Sequence, residues 1–340
     1  MTAHPLKKIL FPTFLFLAIT FACAFGFKKE NYPYQVSIIA IFQNEDRFLK
    51  EWLDFHRLLG VEHFYLFNHL SNDRYREVLD PYIQAGIIEL YDWPYPSEEG
   101  NQDDWTKIQS AAYRQGLDLA RNKSKWVALL DTDEFLYPAS GDTLTEFLKN
   151  YEECSGILVN WQVFGTSEVQ RIPDNQLMIE TLLLQTPAQM EVNTYCKSIV
   201  RPEKVKYCRE PHSMVHYPWS YSVDPEKWIF RWKFHKSHPV KIEQIRINHY
   251  WSRDEEFFHS RKLARYGNWG VLRNACIQRN NEANQIKNSD ILIWVPRLKQ
   301  LQQNDPISPL SSPYAPGVAF GLSQSLGVER LQKGQYQERY

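Results

Sequence analysis

Neither sign of charge dominates this 340-residue chain: 39 Lys and Arg stand against 40 Asp and Glu, for a formal net charge of −1. Without a basic excess, a general nucleic-acid binder is disfavoured, because such affinity rests on a positive surface. Cysteine is scarce, with 5 in all, and no two are spaced CxxC, which argues against a cysteine zinc site. Cys154, Cys196, Cys208 and Cys276 leave room for one or two disulfides in an oxidising compartment without requiring any. No internal repeat is present, and Asn122-Lys123-Ser124 is the single glycosylation sequon. What the chain does have is aromatics, 14% of its residues and 11 Trp among them. Aromatic faces fill cores first, and they also suit the C–H edges of sugar rings.

Charge is missing altogether from Ile9 to Phe27, a run bounded by Lys7 and Lys8 before it and Lys28, Lys29 and Glu30 after it. At about 1.5 Å per residue the run reaches roughly 28 Å, close to a bilayer core. The expectation is one N-terminal transmembrane helix preceding the folded domain, a single-pass anchor within residues 1–30. A cleaved signal peptide competes, since Ala22-Cys23-Ala24 offers small residues for processing. Lysines on both flanks blunt the positive-inside rule, so orientation stays open. The compartment stays open too: Golgi or secretory if the source is eukaryotic, the inner membrane if bacterial.

From Val36 onward two periodicities alternate. Val36–Phe42, Val61–Phe67, Ile87–Tyr91 and Trp126–Leu130 read as apolar strands; Phe48–Leu59, Glu77–Gln84 and Thr106–Ala120 read as helices. Gly60 stands where a helix C-cap belongs. Such alternation predicts an α/β fold, a mixed, largely parallel sheet flanked by helices on both faces. In that architecture ligands collect beyond the carboxyl ends of the strands. Later, Gly156–Phe164 and Lys197–Val200 read as strands. Glu255–Tyr266 reads as a helix opened by a Ser252-Arg253-Asp254-Glu255 capping box. The folded domain is placed at residues 31–301; the tail 302–340, rich in Ser, Pro, Gln and Gly, is expected to lack fixed structure.

The fourth strand ends abruptly in Asp131-Thr132-Asp133-Glu134. In extended chain Asp131 and Asp133 face one side, where two carboxylates repel unless a cation lies between them. Oxygen donors of this kind suit Mg²⁺ or Mn²⁺, which also bind diphosphate oxygens. The plainer reading makes either aspartate a cap for the next turn. In the first two loops, Asn44, Glu45, Asn68 and Asp73 are candidates to touch a nucleoside, as are Gln109 and Asp131 nearby. Turn and cap roles explain Asn44 and Asp73 equally well.

Val36–Glu45, Glu51-Trp52-Leu53-Asp54-Phe55-His56, Trp126–Phe135, Trp161–Gly165, Lys197–Pro202 and Ile247-Asn248-His249-Tyr250-Trp251 together resemble glycosyltransferase family 92, within the family 2-like glycosyltransferases. The blocks span Val36 to Gly267. The resemblance implies a GT-A fold, a divalent metal at Asp131 and Asp133, and a nucleotide-sugar donor, commonly UDP-galactose. It also implies inversion at the anomeric carbon and a glycan or glycoconjugate acceptor. His249 would be a third metal ligand, although a His beside Tyr and Trp is as well read as a core residue. Arg246, Arg261 and Lys262 are candidates for the diphosphate. The base near the acceptor hydroxyl is sought at His212 or Asp254, with Glu210 and Glu255 as further candidates.

Two other functions compete. A carbohydrate-binding protein with this fold and no catalysis would not need both Asp131 and Asp133. A glycoside hydrolase needs two carboxyls roughly 5 to 9 Å apart and no metal, which adjacent aspartates do not supply.

Overall fold

Burial on both faces is what the strand Tyr34–Phe42 (β1) requires, and Ile38, Ile39 and Ala40 in it are wholly buried. The computed structural model describes residues 31–96, 102–230, 236–264 and 270–304. The apolar run Ile9–Phe27 with Cys23, and the tail beyond residue 304, lie outside the described residues. No helix among those residues is long and apolar enough to cross a membrane.

β1 lies parallel between His63–Asn68 (β2) and Ser124–Leu129 (β4), and Ile88–Asp92 (β3) continues the sheet parallel to β2. Alternate residues of β1 sort its two faces, as period-2 geometry demands. Val36, Ile38, Ala40 and Phe42 join Phe48, Leu49, Trp52 and Phe55 of the helix Asp46–Leu58. Ile39 and Ile41 join Ala112, Tyr113 and Leu117 of the helix Gln102–Ala120. That second helix lies close on the sheet because of Gly116; an added Cβ there would come within 2.5 Å of Ile39 Cγ2. Gly60 follows the first helix at φ +91°, where a side chain would be strained.

The second half is not parallel throughout. Cys196–Val200 (β8) runs antiparallel between β4 and Gly156–Val163 (β6), the latter with Ser222–Val223 and Ile229–Phe230 beyond it at the sheet edge. Ile245–His249 (β13) pairs parallel with β6 and antiparallel with Glu134–Pro138 (β5). Expected as a mixed, largely parallel sheet, the fold is that, with β5, β8 and the short strand Ile229–Phe230 reversed, and the β8 reversal is the one that bears on the site. It brings the amino end of β8, not its carboxyl end, to the edge where β4 stops.

The four cysteines outside the first segment, Cys154, Cys196, Cys208 and Cys276, are buried free thiols. The expected Ser252 capping box is replaced. Asp254 is the N-cap, its side chain accepting from Phe257 N–H at 3.0 Å, while Glu255 accepts instead from the Thr166 hydroxyl. The expected helix Glu255–Tyr266 is one α-turn, Glu255–Phe257, that passes into a π-helix over Phe258–Leu263; Tyr266 lies outside the described residues.

Glu51 of the first helix turns inward and accepts from Met178 N–H at 2.7 Å and Ile179 N–H at 3.0 Å. Burial pushes its pKa up to about 7, against the pull of those two N–H groups. A folded-state pKa raised above the unfolded one favours the folded state at low pH. That contribution is full below about pH 4.5 and is lost as pH rises to about 7, some 3 kcal/mol in all. Glu51→Gln is therefore expected to flatten the melting temperature between pH 4.5 and 7.5; a variant whose melting curve tracks wild type across that range would refute the assignment.

Candidate active site at the carboxyl edge of the sheet

Chain direction accounts for the site. β4 stops at Leu129, and residues 131–133 form a turn that reverses into β5. The turn is closed from both ends: Asp131 N–H donates to Glu134 Oε2 at 2.8 Å, and Glu134 N–H donates to the Asp131 carbonyl at 3.1 Å. Asp131 and Asp133 stand in a turn rather than in extended chain, yet close enough that the Asp133 charge works to raise the Asp131 pKa. In the turn each takes its own set of partners.

Asp131 faces the helix Gln102–Ala120 and β8. Its Oδ1 accepts from Gln109 Nε2 and, at 3.0 Å, from the Tyr113 hydroxyl. Its Oδ2 stands 3.0 Å from Lys197 Nζ. Lys197 is buried and also lies 3.7 Å from Glu134 Oε2. Strand register explains its position: Val127 pairs with Val200 and Ala128 with Ile199, so two further steps bring Lys197 beside Leu130. Burial would lower the Lys197 pKa, but Asp131 and Glu134 outweigh it and hold the ammonium charged. Burial likewise works to raise Asp131, and Lys197 reverses it to a net lowering. Glu134 behaves differently. Burial pushes its pKa well up, Lys197 does not compensate, and the neighbouring aspartates add to the rise. Its Oε1 has no hydrogen-bond partner among the described residues.

Asp133 faces the end of β13 and the π-helix. Its Oδ1 is 3.4 Å from His249 Nε2, and its Oδ2 is 3.3 Å from Lys262 Nζ. The Tyr250 N–H donates to its carbonyl at 2.8 Å and fixes the turn against β13. Burial would raise Asp133, but Lys262 and then His249 take it well below the usual carboxylate range. Burial lowers the His249 pKa, and Asp133 only partly opposes it. The His249 Nδ1 has no partner among the described residues. Trp161 packs on His249 at 4.3 Å between ring centroids, and on its other contacts it meets Tyr195 and His212.

His212 donates or accepts through Nδ1 with the Cys196 carbonyl at 2.8 Å; a carbonyl only accepts, so Nδ1 carries the proton and Nε2 keeps its lone pair. Burial, and Lys197 after it, lowers the His212 pKa to about 3 and keeps the ring neutral. Asp254 has a different employment. Its Oδ1 caps Phe257 N–H, and its Oδ2 takes Arg47 Nη2 at 2.6 Å and Ile172 N–H at 2.9 Å, so it is a structural cap rather than a base.

The loop candidates are mostly committed to the chain. Asn44, at φ +56°, accepts from Asn72 N–H at 2.8 Å; Asp73 accepts from Asp46 N–H at 2.8 Å; Asn68 holds Ser71 N–H and Tyr75. These contacts knit the first two loops to each other. Glu45 pairs with the wholly buried Arg253, whose Nη2 also reaches the Thr132 carbonyl at 3.2 Å. Arg246 pairs with Asp290 at 3.0 Å and lies over Tyr137, away from the turn. Gln109 does reach the turn, through Asp131. Lys197, Tyr113, Trp161 and Arg253 were not singled out in the sequence. Lys197 had a legible signal, a lone ammonium inside the apolar strand Cys196–Val200, which must have a buried partner.

Asp133 and His249 present one oxygen and one nitrogen 3.4 Å apart, against roughly 3.0 Å between neighbouring ligands of an octahedral ion with bonds of about 2.1 Å. Asp131 is already engaged by Lys197, Gln109 and Tyr113, and among the described residues no group of three or more His, Cys, Asp or Glu gathers to hold a metal. A cation here would draw these two side chains closer and take its remaining positions from water or phosphate oxygens.

Comparison with known proteins agrees with the resemblance. The model of the family described as glycosyltransferase family 92 matches residues 32–293. A family 92 protein of Ricinus communis is 28% identical over 184 residues, 52% of this chain and 30% of that protein. A galactan beta-1,4-galactosyltransferase of Arabidopsis thaliana is 24% identical over 132 residues, 38% of this chain and 25% of that protein. This chain thus spans less than a third of either relative. Among solved structures, S. aureus TarS 1-349 in complex with UDP shares 14% identity over 49% of this chain and 47% of that chain, at a TM-score of 0.31.

Proposed function

Because the chain belongs to glycosyltransferase family 92, we propose that it transfers a hexose, galactose by analogy with the galactan galactosyltransferase relative, from a UDP-sugar to a glycan hydroxyl. The carrying observation is the Asp131–Glu134 turn at the carboxyl edge of the sheet, with Asp133 facing His249 and Lys262. In this reading the domain has the GT-A arrangement over residues 31–301. Residues 1–30 anchor it in a membrane, and 302–340 form a polar tail.

Asp133 and His249 would hold Mn²⁺ or Mg²⁺, which when bound would neutralise charge on the leaving diphosphate. Lys262 adds a second positive charge beside it. Lys197 fixes Asp131 toward Gln109 and Tyr113, which keeps the turn rigid while ligands come and go. His212 Nε2 accepts a hydrogen bond from the attacking hydroxyl and orients it. The hydroxyl oxygen bonds to the anomeric carbon from the face opposite the diphosphate, the glycosidic C–O bond to phosphate breaks, and the hydroxyl proton leaves to base or water. UDP and the inverted glycoside are the products. A carbohydrate-binding protein without catalysis would not need the Asp133, His249 and Lys262 set.

The test is UDP release from UDP-galactose by the full chain, in Mn²⁺ and with galactose-terminated oligosaccharides present. Release that EDTA stops and Mn²⁺ restores supports the reading. Release indifferent to EDTA would refute its metal dependence, and no release from UDP-galactose, UDP-glucose or UDP-N-acetylglucosamine would refute the transferase assignment.

A further inference from the structure

The two ends of the parallel strands carry different things. The Asp131–Glu134 turn stands beyond the carboxyl end of β4. At the opposite, amino edge the chain enters the domain: Tyr34 opens β1, and its N–H donates to the Lys123 carbonyl at 2.9 Å just before β4. Because β8 is reversed, its carboxyl end lies on that same edge, followed by residues 201–204. Printed on that edge is a chain of contacts. Asn122 N–H donates to Glu203 Oε1 at 3.2 Å, and Arg121 Nη1 donates to the Pro202 carbonyl at 2.9 Å. Tyr217 N–H donates to the Lys204 carbonyl at 3.1 Å, and the Arg121 guanidinium lies 6.0 Å from the Tyr217 ring centroid.

Tyr217 opens a tight turn, closed by Ser220 N–H donating to the Tyr217 carbonyl at 3.1 Å, with Pro218 and Trp219 at its centre. Trp219 is 98% exposed, more than any other large apolar side chain among the described residues, and Tyr217 is 41% exposed. Proline suits the second position of such a turn. The third, here at φ +69°, goes by preference to glycine or asparagine. Tryptophan there costs twice, in backbone strain and in an indole held wholly in water. Lys204 and Lys206 stand either side of Val205, which pairs with His216 just before the turn, and both are exposed. The acids nearby are Glu203 and Asp118, the latter paired with Arg121 at 3.1 Å, so the stretch is positive on balance.

Chain length says what covers the turn. The apolar run ends at Phe27 and β1 begins at Tyr34, so only residues 28–33 separate them. Fully extended, that stretch spans about 20 Å. With residues 1–30 as an anchor, the amino edge stands within about 20 Å of the hydrocarbon, part of which is headgroup. Trp and Tyr are the side chains that settle at that interface, and exposed lysines suit lipid phosphates. We propose that the Tyr217–Ser220 turn is a second membrane contact, with Trp219 seated in the bilayer interface. The domain is then held at two points with its carboxyl edge turned to the water. The six residues of β4, at about 3.3 Å each, set the Asp131–Glu134 turn about 20 Å beyond the amino edge. The proposal rests on the anchor reading of residues 1–30 and not on the transferase chemistry.

The test uses the full chain in phosphatidylcholine–phosphatidylglycerol nanodiscs, with and without bromine on the lipid chains near the glycerol. Residues 1–30 contain no tryptophan, so quenching of indole emission reports the domain. Wild type is expected to be quenched by up to the share of one tryptophan in 11. Trp219→Gly is expected to lose that quenching and to melt no lower than wild type, since glycine accepts the left-handed backbone. Quenching absent from wild type, or unchanged in Trp219→Gly, overturns the proposal. A nanodisc mass of two chains that Trp219→Gly returns to one would then give the turn to a second copy. Alkaline carbonate extraction from vesicles of the same lipids reads the anchor separately. A chain that resists extraction yet shows no quenching refutes the second contact alone; a chain that is stripped refutes the anchor and the contact together.

Discussion

Asp133→Asn is expected to lower turnover by roughly 10²- to 10³-fold, about 3 to 4 kcal/mol of transition-state stabilisation, the usual magnitude for removing a preorganised electrostatic partner. The amide keeps the shape of the side chain and its neighbours, so the loss reports charge and ligation. Lys262 and His249 stay in place, but Lys262 faces an amide and His249 loses the oxygen beside its Nε2. UDP affinity in Mn²⁺ should fall in parallel, and the melting temperature should fall as well, because the Lys262 pairing that lowers the Asp133 pKa also favours the folded state. Kinetics, calorimetry and a thermal melt on the one variant check all three. A variant with full turnover would place the diphosphate elsewhere, and one that unfolds would make Asp133 a structural residue.

Lys197→Met carries the largest expected effect on stability. The side chain keeps its volume and loses its charge, leaving Asp131 and Glu134 beside each other without a cation. Removing one partner of a buried ionic cluster costs roughly 3 to 5 kcal/mol. The lower end applies, because the Asp131 side chain is 31% exposed and reaches water. A loss of about 3 kcal/mol lowers the melting temperature by on the order of 10 °C in a domain of this size. Adding Asp131→Asn should restore part of it, since one of the two carboxylates left without a cation is then neutral. Differential scanning calorimetry of the single and double variants separates a charge effect, which the second substitution relieves, from a packing defect, which it does not.

Much of the first half was legible in the sequence. β1 was expected at Val36–Phe42 and spans Tyr34–Phe42; the first helix was expected at Phe48–Leu59 and spans Asp46–Leu58. Both carry periodicities strong enough to survive without a partner, and their ends moved only by fraying positions. Glu134–Pro138 was not recognised as a strand. Its pairing partner, β13, lies more than 100 residues on, and local pattern carries no information about it. The reversal of β8 escaped notice for the same reason, and with it the role of Lys197. The capping error had a chemical source. Ser252 and Asp254 are both good caps, and the spacing Ser-x-x-Glu fits a box, but Arg253 at φ +55° turns the chain and leaves Asp254 at the helix entrance. Asp131 and Asp133 were legible as chemistry because carboxylates at the end of a buried strand need a reason. Their partners were not legible, because a turn replaces the pleat there.

The most direct test of the central claim is calorimetric titration of UDP into the full chain with Mn²⁺, repeated in EDTA. The account predicts binding in the metal and at least a tenfold weaker affinity in the chelator, because Asp133 and His249 would hold the cation that offsets the diphosphate charge. Equal affinity in the two buffers, or binding in neither, would contradict it.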